Sequence, residues 1–257
     1  MFANVSAIDN DYNFAIVGDW GCTSDTKKTV KSIQNTNPEL IINLGDLSYK
    51  KGPDCWFKTA DHIDENMKIT LGNHDALNPK LLKQYMDHFG LTKQYYSFDY
   101  NNIHFVAMST EVSYLPGSEQ YKFVAKDLEQ AAKNENIKWI IVFHHKPQYS
   151  SDCDNNDSCD PINKLREAYH RLFDRYGVDV VFSAHAHNYQ RTYPLIFNEN
   201  NSTSPVITAN QTNIYNDIKG QIHLVVGTGG MDMVKFSSKN HIYLIKKIRV
   251  LVFLILM

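Results

Sequence analysis

Five short clusters of polar residues carry side chains that commonly bind metal ions, and each cluster follows an apolar stretch. The clusters are Gly18-Asp19-Trp20-Gly21, Gly45-Asp46-Leu47-Ser48-Tyr49, Gly72-Asn73-His74-Asp75, His144-His145 and His185-Ala186-His187. As possible metal ligands, these clusters offer the carboxylates of Asp19 and Asp46, one amide oxygen, one phenol and at least three imidazoles. Oxygen and imidazole donors without cysteine favour iron, manganese or zinc. This number of ligands suits two metal ions about 3.5–4 Å apart that share a bridging carboxylate, rather than a single zinc ion.

Paired metal ions are suited to the hydrolysis of phosphate esters. The cations neutralise the phosphate oxygens and make hydroxide available below the pKa of free water. Each cluster alone also has an ordinary interpretation, because a Gly-Asp after a strand is often a turn or a helix cap. The repetition at five strand ends favours one shared site instead. Tyr49 also has two interpretations. It either packs beside Asp46 or binds the same metal ion as Asp46.

The clusters can meet only if the strands before them end at one edge of the fold. Apolar strands are predicted in YNFAIVGD, ELIINLGD, MKITLGNHD, KWIIVFHH and VDVVFSAHAH. Helices are predicted near 25–36, 54–65, 78–89, 118–135 and 161–176, the first one capped by Ser24 or Asp25. Strands that alternate with helices indicate an α/β fold with mainly parallel strands, whose carboxyl ends bind ligands. Further strands are predicted in QYYSFDY, IHFVAMST and QIHLVVGTGG, with an irregular segment at 198–217.

In this order, the five clusters resemble the GDxG, GDxxY, GNH(D/E), VxxH and GHxH blocks of the calcineurin-like metallophosphoesterases, and among them the purple acid phosphatases. The resemblance covers about residues 13–193. Gly21 replaces a histidine ligand of the wider superfamily, and Tyr49 supplies a ligand in its place, as in the purple acid phosphatases. The resemblance implies a four-layer α/β/β/α sandwich with the active site at the carboxyl ends of the strands. It also implies a single metallophosphatase domain over residues 1–257.

The resemblance further implies which residues bind each metal ion. The ligands of an Fe(III) ion are Asp19, Asp46, Tyr49 and His187. The ligands of a second, divalent Fe, Zn or Mn ion are Asp46 as the bridge, Asn73, His145 and His185. In the VxxH block, the spacing selects His145 over His144, which we expect on the opposite face of the strand in the core.

His74 and Asp75 are the catalytic residues that the resemblance implies. A metal-bound hydroxide attacks the phosphate in line, and His74 stabilises or protonates the departing oxygen. Asp75 orients the ring of His74, although a helix-capping role is the alternative for this carboxylate. The phenolate of Tyr49 is a hard anionic ligand that favours ferric iron. Ferric iron acidifies water more than a divalent ion does, which permits activity at low pH.

Three segments depart from the family pattern. Ala184 stands where the family usually has glycine, and a positive φ there would destabilise an alanine by about 1 kcal/mol. The segment SSDCDNNDSCD lacks the histidine pair of larger plant members, and we do not expect their N-terminal β-sandwich domain here. The C-terminal end, 231–257, is expected to be shortened or atypical, with one final strand as the alternative.

Composition and charge exclude several other classes of function. The 257 residues are 43% hydrophobic and 21% charged, as in ordinary globular proteins. A net charge of −2 gives no reason to expect nucleic-acid binding, and no apolar run is long enough for a membrane-spanning helix. Four cysteines allow one bridge within CDNNDSC and another between Cys22 and Cys55, or four reduced thiols. Several Asn-x-Ser/Thr sequences favour export, although no signal peptide is visible.

We therefore expect a secreted or otherwise extracytoplasmic acid phosphatase that acts on small phosphate monoesters. One alternative is a divalent-metal phosphodiesterase of the same fold, in which Tyr49 only packs. An alternative of another class is a protein that retains the metals but acts only as a binder. The natural substrate and the oligomeric state stay open.

Overall fold

Two β-sheets lie face to face in the computed structural model, which describes residues 13–151, 160–210, 218–236, 241–248 and 254–256. The strands are β1 (Phe14–Val17), β2 (Leu40–Asn43), β3 (Met67–Ile69), β4 (Tyr96–Tyr100), β5 (Ile103–Ala107), β6 (Trp139–Phe143), β7 (Val180–Ser183), β8 (Tyr189–Thr192), β9 (Leu195–Ile196), β10 (Val206–Ile207), β11 (Ile222–Val226), β12 (Leu244–Ile248) and β13 (Leu254–Leu256). The helices are α1 (Ser24–Thr36), α2 (Asp54–Ala60), α3 (Pro79–His88), α4 (Glu119–Ala132) and α5 (Asp160–Tyr176).

The strands that precede the polar clusters run parallel to one another within each sheet. The smaller sheet has the order β13-β1-β2-β3, and the larger sheet has the order β12-β8-β11-β7-β6-β5-β4. Strands β1, β2 and β3 are parallel, and so are β5, β6, β7 and β11. Strands β13, β4, β8 and β12 pair antiparallel instead. The prediction of parallel strands is therefore correct for the strands that carry the clusters.

Alternating side chains of the strands explain why helices cover the outer face of each sheet. In β1, Phe14 and Ile16 pack between the sheets, where the ring of Phe14 meets the ring of Phe105 at 5.8 Å. The intervening Ala15 and Val17 pack on the outer side, in a buried cluster shared with α1, α2 and α3. A third cluster joins the other face of the larger sheet to α4 and α5. The predicted α/β/β/α sandwich is confirmed.

The first helix begins one residue earlier than predicted. Thr23 is its N-cap, in place of Ser24 or Asp25, because Thr23 has extended backbone dihedrals and its hydroxyl accepts hydrogen bonds from the backbone N–H groups of Asp25 and Thr26. Helix α2 ends at Ala60, five residues short of the predicted boundary. None of the described helices has the length and apolar character needed to cross a bilayer.

The C-terminal segment contributes a strand to each sheet, where at most one strand was expected. Strand β12 pairs with β8 in the larger sheet, and β13 pairs with β1 in the smaller sheet. A disulfide joins Cys22 to Cys55, one of the pairings that the sequence allowed. The other proposed bridge, between Cys153 and Cys159, lies outside the described residues.

Candidate metal centre

The predicted ligands stand directly after the carboxyl ends of five parallel strands. Asp19 follows β1, Asp46 follows β2, and Asn73 follows β3 in the smaller sheet. His145 follows β6 and His185 follows β7 in the larger sheet. Because the two sheets face each other, these strand ends meet at one edge of the sandwich.

Four of the predicted ligands have left-handed backbone conformations that non-glycine residues seldom adopt. Asp19, Asp46, Tyr49 and His185 have φ values of 57°, 55°, 53° and 68°. Each such residue is strained by about 1–3 kcal/mol, and strain of this kind concentrates at functional sites. His185 is also the centre of a γ-turn, because the backbone N–H of Ala186 donates to the carbonyl of Ala184 at 2.8 Å.

Ala184 does not carry the backbone strain that was expected at this position. The described residues with positive φ include His185 but not Ala184, so the anticipated penalty of an alanine does not arise. The methyl group of Ala184 instead lies against Gly18, where an added Cβ would be 2.7 Å from the Cβ of Ala184. Glycine at position 18 therefore makes room for alanine at position 184.

Tyr49, Asp19 and His187 converge on one side of the centre. The hydroxyl of Tyr49 donates to Oδ1 of Asp19 at 2.7 Å and lies 2.9 Å from Nε2 of His187. Nδ1 of His187 lies 2.9 Å from the carbonyl of Asp232, so this nitrogen is the donor and Nε2 keeps its lone pair for the centre. Oδ2 of Asp19 is buried without a hydrogen-bond partner in the described part of the chain.

Asp46, His145, His185 and Asn73 form the other side. Nδ1 of His145 donates to the carbonyl of Leu44 at 2.8 Å, which directs Nε2 into the centre. That Nε2 lies 3.2 Å from Oδ2 of Asp46, 3.2 Å from Oδ1 of Asn73 and 3.2 Å from Nδ1 of His185. One ligand atom each of Asp46, His145 and His185 lies within 4.8 Å of the other two. The structure therefore brings together all seven residues predicted as ligands.

The electrostatics of the cluster fit a bound cation. Burial and the nearby carboxylates of Asp19 and Asp46 raise the pKa of the Tyr49 hydroxyl far above its ordinary value. Burial lowers the pKa of His145, but the charge and hydrogen bond of Asp46 outweigh it and raise that pKa to about 9. Burial and the charge of His145 lower the pKa of His185 to about 4. Metal ions bind these groups in their deprotonated forms and would replace the protons that the carboxylates now attract.

His74 and Asp75 lie at the same edge but make different contacts. The ring of His74 is half-buried and lies 4.2 Å from the ring of Tyr49, and its backbone N–H donates to Oδ1 of Asp46. The buried carboxylate of Asp75 accepts backbone hydrogen bonds from Asp46, Leu47 and Gly72 at 2.7–2.9 Å. None of its hydrogen bonds among the described residues goes to the ring of His74. Asp75 thus holds the loop of Asp46 in place, where the resemblance implied that it orients His74.

His144, predicted as a core or supporting histidine next to the ligand His145, has a fully buried side chain, and burial lowers its pKa to about 4. Its imidazole is close enough to His223 to influence the pKa of that buried residue. These are the surroundings of a histidine in the interior of the larger sheet.

Residues 227–234 support the centre, and the sequence prediction missed them. The backbone N–H groups of Gly229, Met231 and Val234 donate to the carbonyls of Gly18, Asp19 and His187, at 2.8, 3.1 and 3.1 Å. A Cβ on Gly227 would lie 2.4 Å from Oδ2 of Asp19 and 2.1 Å from the carbonyl oxygen of Ala186. The signal was the sequence GTGG, since glycines often mark a close approach of the backbone to another group.

The backbone at Gly21 favours glycine. Its φ is 66°, a conformation that strains other residues. An added Cβ would also lie 2.5 Å from Sδ of Met231, whose flexible side chain would have to move. The hydroxyl of Tyr49, from the second cluster, reaches this side of the centre and contacts Asp19 and His187.

The chain is similar to several known proteins. Residues 12–189 match the model of the calcineurin-like phosphoesterase family. The chain is 25% identical to purple acid phosphatase 15 of Arabidopsis thaliana, over 84% of this chain and 44% of that protein. It is 30% identical to acid phosphatase type 7 of Mus musculus, over 85% of this chain and 54% of that protein. It thus spans about half the length of the curated relatives that it matches.

A solved structure provides the same comparison for the fold. The purple acid phosphatase PPD1 from seeds of yellow lupin, Lupinus luteus, superposes with a TM-score of 0.80 at 23% sequence identity. The superposition covers 95% of this chain and 48% of the lupin chain. At this identity the likeness concerns the fold, and it extends over both sheets and their helices.

Proposed function

Because the chain belongs to the calcineurin-like phosphoesterase family, we propose that it is an acid phosphatase that hydrolyses small phosphate monoesters at a dinuclear metal centre. The observation that carries the proposal is the position of the Tyr49 hydroxyl, within 2.9 Å of both Oδ1 of Asp19 and Nε2 of His187. Purple acid phosphatases are among the relatives of the chain, and Tyr49 is the residue that we assign to the tyrosine ligand implied by the resemblance.

The proposed first site binds Fe(III) and the second binds a divalent Fe, Zn or Mn ion. The ligands assigned to Fe(III) are Asp19, Asp46, Tyr49 and His187. The ligands assigned to the divalent ion are Asp46, Asn73, His145 and His185. Asp46 suits the bridging role because its carboxylate lies beside His145 and also raises the pKa of Tyr49. A phenolate is a hard anionic ligand, which favours a ferric ion in the first site.

The metal ions, when bound, supply the charge neutralisation and the acidified water that ester hydrolysis requires. His74 is proposed to donate a proton or a hydrogen bond to the departing ester oxygen. Its half-buried ring is held against Tyr49, and its backbone is tied to Asp46, so it keeps a fixed place beside both sites. Asp75 acts as a positioning residue through the backbone of Asp46 and Leu47.

The proposal extends to the organisation and the location of the protein. We treat residues 1–257 as one metallophosphatase domain, because the C-terminal strands join both sheets. Export to an oxidising compartment is supported by the disulfide between Cys22 and Cys55, since such bridges are rare in reducing compartments.

The test is hydrolysis by the metal-loaded protein and by His74→Ala. We expect hydrolysis of 4-nitrophenyl phosphate near pH 5, with turnover reduced about 100-fold or more in His74→Ala while both metal ions are retained. His62→Ala, which changes an exposed histidine of the same chain, is the matched control. Preferred hydrolysis of bis(4-nitrophenyl) phosphate would favour the phosphodiesterase alternative. Retained metals without hydrolysis of either ester would favour the non-catalytic binder.

A further inference from the structure

Lys146 and Glu111 form a sheltered ion pair at the strand ends beside the proposed metal centre. Nζ of Lys146 lies 2.8 Å from Oε1 of Glu111, and the two side chains are only 24% and 12% exposed. Lys146 directly follows the proposed ligand His145 after β6, and Glu111 follows the neighbouring parallel strand β5. The pair therefore occupies the same edge of the larger sheet as the ligands.

The other lysine ion pairs among the described residues differ from this one in sequence spacing and in exposure. They are Lys28–Asp25, Lys83–Asp87, Lys122–Glu119 and Lys133–Glu129. Their partners are three or four residues apart, and each of their side chains is at least 43% exposed. Exposed pairs of this kind contribute little to stability. A lysine withdrawn from solvent and paired across two loops needs a different explanation, because lysine is rarely buried without a reason.

The surrounding hydrogen bonds fix Glu111 and hence the ammonium group of Lys146. Oε1 of Glu111 accepts from the hydroxyl of Thr110 at 2.8 Å, and its backbone N–H donates to the hydroxyl of Ser109 at 3.0 Å. The backbone of Ser109 is bonded in turn to the buried side chain of Gln120 in α4. Within the part of the chain that the structure describes, Glu111 is the polar partner of the ammonium group. An ammonium group has three N–H donors, so two of them are free to bind a ligand.

The position of Lys146 brings its charge to the end of the strand that carries a proposed ligand. Lys146 directly follows His145, and its ion pair with Glu111 holds the ammonium group at this edge of the sheet.

We propose that Lys146 is a substrate-binding residue whose ammonium group contacts the non-ester oxygens of the scissile phosphate, and that Glu111 holds it in position. The inference rests on the proposed phosphatase function and names a determinant of its substrate class. A phosphate monoester can carry two negative charges and a diester only one, so a fixed cation favours the monoester. Glu111 alone would repel the phosphate, which explains why it stays paired with the lysine.

The test compares Lys146→Met with wild type, both loaded with metal. Methionine keeps the apolar stem of the lysine and removes the charge. We expect KM for 4-nitrophenyl phosphate and Kd for inorganic phosphate each to rise about 10-fold or more, which corresponds to one lost charge-assisted hydrogen bond. We expect kcat of Lys146→Met to change less than about threefold. KM for bis(4-nitrophenyl) phosphate should rise less than KM for 4-nitrophenyl phosphate. Lys146→Arg should recover most of the affinity for inorganic phosphate. Lys122→Met, which breaks an ion pair of the same length on the exposed face of α4, is the matched control.

Three outcomes would separate this inference from the proposed function. Unchanged KM and Kd in Lys146→Met, with metals retained, would overturn the role of Lys146 and leave the phosphatase assignment intact. An equal loss of kcat in Lys146→Met and Lys146→Arg, without a change in KM, would show a structural role and also overturn it. If wild type binds phosphate but hydrolyses no ester, the proposed function fails, while calorimetric Kd values for the same variants still decide whether Lys146 binds phosphate. Lys146→Gln replaces the methionine variant if that protein does not fold.

Discussion

Gly227→Ala should disable the metal centre although residue 227 contributes no ligand. An added Cβ would lie 2.1 Å from the carbonyl oxygen of Ala186, which stands between the proposed ligands His185 and His187. It would also lie 2.4 Å from Oδ2 of Asp19. Both neighbours belong to loops of the centre, so the added methyl group would displace two of these loops.

The size of the effect follows from these distances. Real Cβ atoms essentially never approach closer than 3.0 Å, so the carbonyl of Ala186 must move by at least 3.0 − 2.1 = 0.9 Å. Overpacking of this kind destabilises a folded protein by about 1–3 kcal/mol, which corresponds to a fall in Tm of about 2–12 °C at this chain length. A displacement of about 1 Å in catalytic groups reduces turnover by about 100-fold. We therefore expect turnover to fall about 100-fold in a protein that still folds.

The assay is a comparison of metal content, Tm and kcat between wild type, Gly227→Ala and Gly52→Ala. Gly52 is the matched control because an added Cβ there meets nothing within 4 Å. Gly52→Ala should keep both metals and wild-type turnover. If Gly227→Ala also bound two metals per chain and turned over at the wild-type rate, residues 227–234 would not support the centre as described here.

Two further predictions concern stability. Replacing Cys22 and Cys55 by serine should lower the free energy of unfolding by about 3–4 kcal/mol, because the bridge closes a loop over a sequence separation of 33 residues. Chemical unfolding without reductant measures this difference. An unchanged unfolding midpoint would contradict the prediction. Burial lowers the pKa of His104, but its hydrogen bonds to Asp127 and Asp99 outweigh burial and raise that pKa above its ordinary value. At pH 5.5, below the unfolded pKa of about 6.5, the free energy of unfolding of His104→Gln should therefore be lower than that of wild type. This difference should shrink as the pH rises to 9. An equal difference at both pH values would argue against the ion pairs.

The ligand set could be predicted from the sequence because its signal is local. Each ligand follows an apolar run within a few residues, and the residue types themselves restrict the chemistry. The structure adds that four ligands have strained backbones, which cannot be inferred from residue type: Asp19, Asp46, Tyr49 and His185. Strain at functional residues is stabilised by the surrounding fold, and it becomes visible only when the dihedral angles are known.

The supporting contacts could not be predicted because they come from distant backbone groups. Residues 227–234 contact the loops of the centre through backbone groups that almost every residue possesses. Only the glycines of this segment could have indicated the contact from the sequence. The hydrogen bonds of Asp75 could not be predicted for the same reason, since its partners include backbone N–H groups of a loop 28 and 29 positions away. Strand β8 was missed because its sequence, YQRT, is short and mostly polar, and its pairing with β11 and β12 is long-range.

The central claim is that Tyr49 and Asp46 bind the same ion, and the visible absorption spectrum tests it most directly. Purified wild-type protein that contains iron should be purple, from charge transfer between phenolate and iron. Tyr49→Phe should lose the colour, and Tyr176→Phe, on the surface helix α5, should keep it. Metal analysis of the same samples establishes whether iron is present in each. A wild-type protein that hydrolyses phosphate esters with two bound metals but is colourless and free of iron would contradict the assignment, and so would a Tyr49→Phe protein that retains the band.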